Sequence, residues 1–260
     1  MKSKLAFDHN MLTHINEARV AEGKQASALI ELAGKALSHP LMYLPLGFIE
    51  KVVGVLLALP IPLYSSLVYT WISNSRGLPK FFGMYLRALY YRRVLGLMES
   101  NVFIDQGVIF SHPKGVTLRE FSYIDKRTML LCHRVSVGRR VHIAPNVFVS
   151  GGGTFEIEDY ACIATGTSII TSTEVLKDGA RCSGPMVAAS QRNVVRGHVQ
   201  IEKDAFIGPH VVLLPNIVVK QGSVIAAGVT VAKDTESWGI YVGGKGKKIS
   251  NRDPVKHPDN

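Results

Sequence analysis

Cysteine is scarce in this chain: Cys132, Cys162 and Cys182 are the only three in 260 residues, an odd number with no CxxC pair. That argues against a disulfide framework and a zinc knuckle, and fits a reducing compartment. Acidic residues are also few, 20 against 30 Lys and Arg, giving a formal net charge of +10. The excess favours anionic partners such as phospholipid headgroups, nucleic acid or phosphorylated cofactors. The scattered charges of residues 1–37 leave no apolar core with a small-residue cleavage site, so the N-terminus does not read as a signal peptide. The remaining composition, 47% hydrophobic, is enough for a sizeable core in one large domain with an appendage.

Charge is absent altogether between Lys51 and Arg76, in KVVGVLLALPIPLYSSLVYTWISNSR. About 20 apolar residues cross a bilayer, so length permits a span. Pro60 and Pro62 at its centre each remove a backbone hydrogen bond and clash with the preceding turn, which favours two short helices dipping into one leaflet. Lys51 on one side, and Arg76, Lys80, Arg87, Arg92 and Arg93 on the other, interleave with Phe81, Phe82, Tyr85, Tyr90 and Tyr91, a mixture suited to a membrane interface. A true transmembrane helix and a buried hairpin at a subunit interface stay open. A basic, aromatic strip also suits RNA, but no RNA-binding motif accompanies it, and no nucleic-acid partner is expected.

The dominant pattern has a period of six. Ile201, Ile207, Leu213, Val219, Ile225 and Val231 form one unbroken series. Ile157, Ile163 and Ile169 form another, Val137, Ile143 and Val149 a third, Leu118, Ile124 and Leu130 a fourth, with Ile104 and Phe110 at the start. Small or β-branched residues precede many anchors by two places, as at Val141, Ala161, Ala205 and Ser223. Each unit is a short strand plus a turn, and three units make a triangular coil whose anchors stack on the coils above and below.

With these hexads, and with the closing segment WGIYVGGKGKKI, the sequence resembles the hexapeptide-repeat acyltransferases over residues 102–250. The terminal coils look like those of sugar O-acetyltransferases related to the galactoside and maltose acetyltransferases, polysaccharide-cluster type. The resemblance implies a mainly β chain, a left-handed parallel β-helix over 101–250; the residues ahead of it read, from the uncharged segment and its flanks, as an α-helical N-terminal region (1–100) with a membrane-associated segment at 41–76. Residues 251–260 read as an irregular basic tail. The resemblance also implies a homotrimer, acetyl-CoA as acyl donor and no metal; no two of the histidines from 112 to 210 have the H-x4-H spacing of the γ-type carbonic anhydrases, which share the fold.

The register is broken between Ile169 and Ile201 by a long loop, 171–199, of the kind that carries function. In the resembled family this loop reaches a neighbouring subunit, and a motif T-x-T-H-P at its head supplies the catalytic base. Here the matching string is Thr171, Ser172, Thr173, Glu174, Val175, without the histidine. Glu174 as the base, another histidine as base with Glu174 orienting it or the sugar, and loss of activity are the competing explanations. His142, in RVHIAPNVFVSGGG, matches a VHIA string with a following glycine run in a subgroup of sugar acetyltransferases, and precedes an inward anchor, so its ring points outward. His112 reads as structural, and His133 as core or cleft.

By position in the resemblance, Phe206 borders the pantetheine arm, His210 contacts the donor near its thioester end, Ala226 and Ala227 let the backbone approach, and Lys233, Lys247 and Lys248 face the phosphates. GGKG at 243–246 departs from the family's GNPA, and loss of the proline is expected to loosen that segment. Lys177, Asp178, Arg192, Asn193 and His198 are the expected acceptor-binding groups. Together these features imply acetylation of a sugar hydroxyl of a bacterial surface polysaccharide or its lipid-linked precursor, by an enzyme bound to anionic lipids at the cytoplasmic face of the inner membrane. N-acetylation of an amino sugar and a non-catalytic trimeric scaffold are the alternatives.

Overall fold

A computed structural model describes residues 5–21, 25–59, 62–73, 80–177, 179–182 and 186–256. The hexads wind into six coils whose strands stack into three parallel sheets. The first sheet starts at Leu97–Met98, the second at Phe103–Ile104 and the third at Ile109–Phe110. Every expected anchor from Ile104 to Val231 is buried. In the second sheet Ile104, Ile124, Ile143, Ile163, Ile207 and Ile225 lie in one continuous register. The residues two places before the anchors, Val141, Ala161, Ala205 and Ser223, are buried as well. Coiling begins one strand earlier than Ile104, at Met98, which pairs with Leu118.

A triangular coil must turn sharply after each strand, and many corners use left-handed backbone. Asn101, Asn146, Asn216 and Asp204 adopt positive φ, as their short polar side chains tolerate, but so do Phe121, Arg140, Tyr160 and Trp238. Stacking from coil to coil offsets the strain at the bulky positions. The Arg140 guanidinium lies 4.8 Å from the Phe121 ring centre, and that of Arg252 lies 5.7 Å from Trp238.

Five helices precede the coils: α1 (His9–Ala21), α2 (Ala28–Ser38), α3 (Pro40–Leu57), α4 (Pro62–Ser73) and α5 (Lys80–Val94). The uncharged segment thus falls on two helices, α3 ending at Leu57 and α4 starting at Pro62; Pro60, Arg76 and the side chains of Pro62, Lys80 and Phe81 lie outside the described residues. No helix among the described residues is long and apolar enough to cross a membrane.

The expectation for α5 needs correcting. Met84, Ala88, Tyr91 and Leu95 share one core with Ile104 and Phe110, so α5 caps the first coil instead of lying on a lipid surface. Tyr90 and Tyr91 are buried, and Tyr91 packs edge-on against Phe110 at 5.2 Å. Arg87 is buried as well, because Asp105 supplies a carboxylate at 3.5 Å and the Ile104 carbonyl accepts from its Nε at 2.7 Å. Capping by a helix closes the open end of a stacked solenoid.

The cap is pinned by the segment 5–8 ahead of α1. The Ala6 carbonyl accepts from Asn101 N, and Ala6 N donates to Glu50 Oε2 at 2.7 Å. Tyr85 donates to the other Glu50 oxygen at 2.8 Å. Burial raises the Glu50 pKa despite these two donors. A raised carboxyl pKa favours the fold below the ordinary value of 4.5, and that contribution is lost as pH rises through the raised pKa. Relative to wild type, Glu50→Gln should therefore gain thermal stability as pH is raised from about 4 to 7; a gap independent of pH would contradict this.

Candidate active site

In the strand His142–Ile143 the anchor Ile143 points in, and alternation turns the His142 imidazole out onto the face of the second sheet. Tyr123 is its neighbour on the coil below, Cys162 on the coil above, and Phe206 one coil further. At about 4.8 Å per coil, Phe206 lies about 10 Å from His142 along this face. The Tyr123 ring stacks on the imidazole, with centroids 5.1 Å apart and planes 17° from parallel.

Asp125 follows Tyr123 by two residues and sets its Oδ2 3.6 Å from His142 Nε2. That nitrogen is buried without a hydrogen-bond partner, whereas the side chain as a whole is 45% exposed, so the other edge of the ring faces outward. At 3.6 Å the contact is too long for a hydrogen bond, but it becomes an ion pair when the ring takes a proton. A carboxylate behind an imidazole whose other edge is open is the arrangement of a general base.

The carboxylate is in turn supported. Tyr123 donates to Asp105 Oδ2 at 3.1 Å, and the Asp125 carboxylate lies close enough to act on the same phenol. Burial first, and then the two carboxylates, push the phenol pKa up, so it remains a donor. With the Arg87–Asp105 pair, a row Arg87–Asp105–Tyr123–Asp125–His142 runs from the helical cap to the third coil. None of these four supporting residues was a sequence candidate for the site; the signal that locates them is register, since Asp105 and Asp125 each directly follow an anchor.

Cys162 lies between His142 and Phe206, but burial pushes its thiol pKa up, which disfavours a nucleophilic thiolate. Cys162→Ser is therefore expected to retain turnover. A loss beyond about tenfold would point to a covalent route through sulfur.

Next to this column runs a file of small residues, Ala144, Ala164, Gly208 and Ala226, each donating its N–H to the coil above. Gly208 fits tightly, since a Cβ there would sit 2.7 Å from the Ile225 carbonyl oxygen. Phe206, Ala226 and Ala227 lie along this file, and His210 occupies a left-handed corner with its ring over Gly166. The structure thus gathers Phe206, His210, Ala226 and Ala227 on the side of the helix that carries His142. Lys233 and Lys247 are exposed, whereas Lys248 is engaged by Glu236 at 2.6 Å.

The closing segment is not loose, contrary to expectation. Gly239–Val242 joins the second sheet and Lys247–Asn251 pairs with it antiparallel. Tyr241 fills the last anchor position and accepts a hydrogen bond from Glu236 N, fixing the segment without a proline.

The long loop leaves and re-enters as a hairpin, Ser172–Glu174 antiparallel to Val194–Arg196. Its base is Thr171, whose hydroxyl donates to the Ser150 carbonyl at 2.7 Å and accepts from Gly153 N at 3.0 Å. The glycine run packs beneath it: a Cβ on Gly153 would lie 2.2 Å from the Gly197 oxygen. Glu174 Oε2 is buried and has no hydrogen-bond partner among the described residues. Lys177 and Asn193 are exposed and Arg192 half-buried on the same loop; Asp178 lies outside the described residues. His198 belongs to the first sheet and its Nδ1 is bonded to Thr154 at 2.7 Å, which takes it off the loop. His112 and His133 stack at 4.2 Å on an insertion between coils. Within one chain, His142 on the second sheet and Glu174 beyond the third occupy different faces.

Residues 198–233 match the family model described as bacterial transferase hexapeptide (six repeats). The dTDP-4-amino-4,6-dideoxy-D-glucose acyltransferase of Escherichia coli is 35% identical over 112 residues, 43% of this chain. The chain spans 58% of that relative's length. The structure of AntD, an N-acyltransferase from Bacillus cereus, with dTDP and 3-hydroxybutyryl-CoA is similar at a TM-score of 0.58 and 27% identity, covering 62% of this chain and 86% of that one. A variant of AntD with dTDP-4-amino-4,6-dideoxyglucose and coenzyme A gives a TM-score of 0.58 at 28% identity, covering 63% and 87%.

Proposed function

We propose that this chain, which belongs to the hexapeptide-repeat acyltransferases, transfers an acetyl group from coenzyme A to a sugar of a bacterial surface polysaccharide or its lipid-linked precursor. The observation that carries the reading is His142, backed by Asp125, on the same face as Phe206 and the file of small residues that ends at Ala226 and Ala227. The donor supplies an activated acyl carbon, and a file of small residues suits close approach by a narrow arm like that of the CoA-type ligands in the AntD structures. His142 takes the proton that the acceptor sheds as it bonds to that carbon, and returns it to the departing thiol. Asp125 stabilises the imidazolium in between and holds the ring's open edge toward the acceptor.

Trimerisation gives the loop its place in this scheme. A chain whose base and loop lie on different faces gains a closed site when a neighbouring protomer brings its loop, with Glu174, Lys177, Arg192 and Asn193, over the His142 face. The exposed apolar residues of α3 favour attachment to the cytoplasmic face of the inner membrane, where a lipid-linked acceptor is presented.

A second reading, N-acylation of a nucleotide-linked amino sugar, is favoured by the named activity of the Escherichia coli relative and by the ligands of AntD. Labelled acetyl-CoA offered with lipid-linked hydroxyl acceptors and with dTDP-amino sugars separates the two. An O-acetyl product is cleaved by hydroxylamine and an N-acetyl product resists it. Resistant label found only on the nucleotide sugar would replace the first reading by the second.

A further inference from the structure

A cavity of about 320 Å³ opens between α3, α5 and the start of the first coil, lined among others by Gly47, Lys51, Arg92, Arg93 and Gly96. Lys51 and Arg93 are exposed at its mouth and Arg92 is half-buried. Arg93 donates to the Lys51 carbonyl at 3.4 Å, and Lys114 Nζ bonds the Arg93 carbonyl at 3.3 Å, so a fourth cation stands beside these three. Glu50 is the one carboxylate in the lining. It is buried, and its two oxygens already accept from Ala6 N and Tyr85, so it is turned into the protein rather than toward a ligand.

What surrounds the cavity is apolar. Along α3, Phe48 and Val55 stand three residues before and four after Lys51, which makes them its neighbours on the helix surface. Both are exposed, as are Ile49, Val52 and Leu56 on the same helix, with Leu67 and Trp71 on α4. Such a face has no use in water, and a pocket for a soluble phosphate needs no apolar rim. The chain's excess of 30 basic over 20 acidic residues supplies long-range attraction to a negative surface.

We infer that this cavity receives the phosphate of an anionic membrane phospholipid while the exposed face of α3 seats among the acyl chains. The inference deepens the membrane attachment proposed above and rests on it, but does not depend on which sugar is acylated.

The test is flotation of the full chain with vesicles of phosphatidylcholine alone or mixed with phosphatidylglycerol, with inorganic pyrophosphate as the soluble competitor. Wild type should float with the mixed vesicles and fall off as salt is raised. Lys51→Glu combined with Arg93→Glu should weaken binding by about tenfold or more, with unchanged melting temperature and unchanged thiol release on a soluble sugar acceptor. Three results overturn the inference: equal flotation of the double variant; flotation with phosphatidylcholine alone as strong as with the mixture; or pyrophosphate bound with no flotation at all. The first two leave membrane attachment standing without the phosphate pocket, and the third removes attachment too. Thiol release reports on the acyltransferase reading separately in every case.

Discussion

Replacing His142 with alanine is expected to lower kcat by about 10²–10⁴-fold while leaving the KM for the acyl donor close to wild type. Among the described residues the imidazole on the second sheet's face has a carboxylate behind it and an open edge in front. If it is the base, as proposed, its removal takes away that proton acceptor without touching Phe206 or the file of small residues. Asp125→Asn should lose less, because the base survives and only its charged form loses support; Tyr123 still stacks on the ring. Glu174→Gln, measured beside these, decides the remaining role. If the carboxylate itself were the base, Glu174→Gln would match or exceed the His142→Ala loss. If neither variant slowed turnover, the proton would pass elsewhere on a correct fold.

The second large effect lies away from the chemistry. Arg87→Ala should destabilise the chain by about 3–5 kcal/mol, since it leaves a fully buried carboxylate, Asp105, without its cation. The loss falls on the junction between helical cap and first coil, where Arg87 also holds the Ile104 carbonyl. Chemical unfolding should show it as a lower midpoint. The double change Arg87→Ala with Asp105→Asn should recover part of the loss, because the stranded charge is removed with its partner. A loss below about 1 kcal/mol would mean that water reaches Asp105 and that the row to His142 is not anchored at this end.

These two predictions also mark where the sequence was informative. The six-residue period located nearly every inward position of the coils, because a solenoid repeats one steric requirement and each repeat states it again. It missed Met98, which has no hexad before it to set the phase. The α5 segment KFFGMYLRALYYRRV places aromatic and basic residues around the whole helix, so no stripe told which side faces protein. A mixture that suits a lipid interface equally suits a helix docked on a β-helix whose Asp105 draws one arginine inside.

The outward placement of His142 was legible from its position before an anchor. Its partners were not, because Asp125 stands 17 residues earlier and becomes a neighbour only through coil stacking. His198, grouped with the loop by proximity in sequence, is separated from it by the return to the first sheet and by its bond to Thr154. The absent T-x-T-H-P histidine marked a departure from the galactoside and maltose acetyltransferases, and the Escherichia coli relative and AntD carry a name and a ligand of amino-sugar chemistry.

The account stands or falls on where the acyl carbon meets the protein, and a structure of the chain with bound coenzyme A measures that directly. The expected result places the sulfur beside His142, with the arm running along Phe206, Gly208 and Ala226. Coenzyme A bound along the first or third sheet, with its sulfur remote from His142, would contradict it.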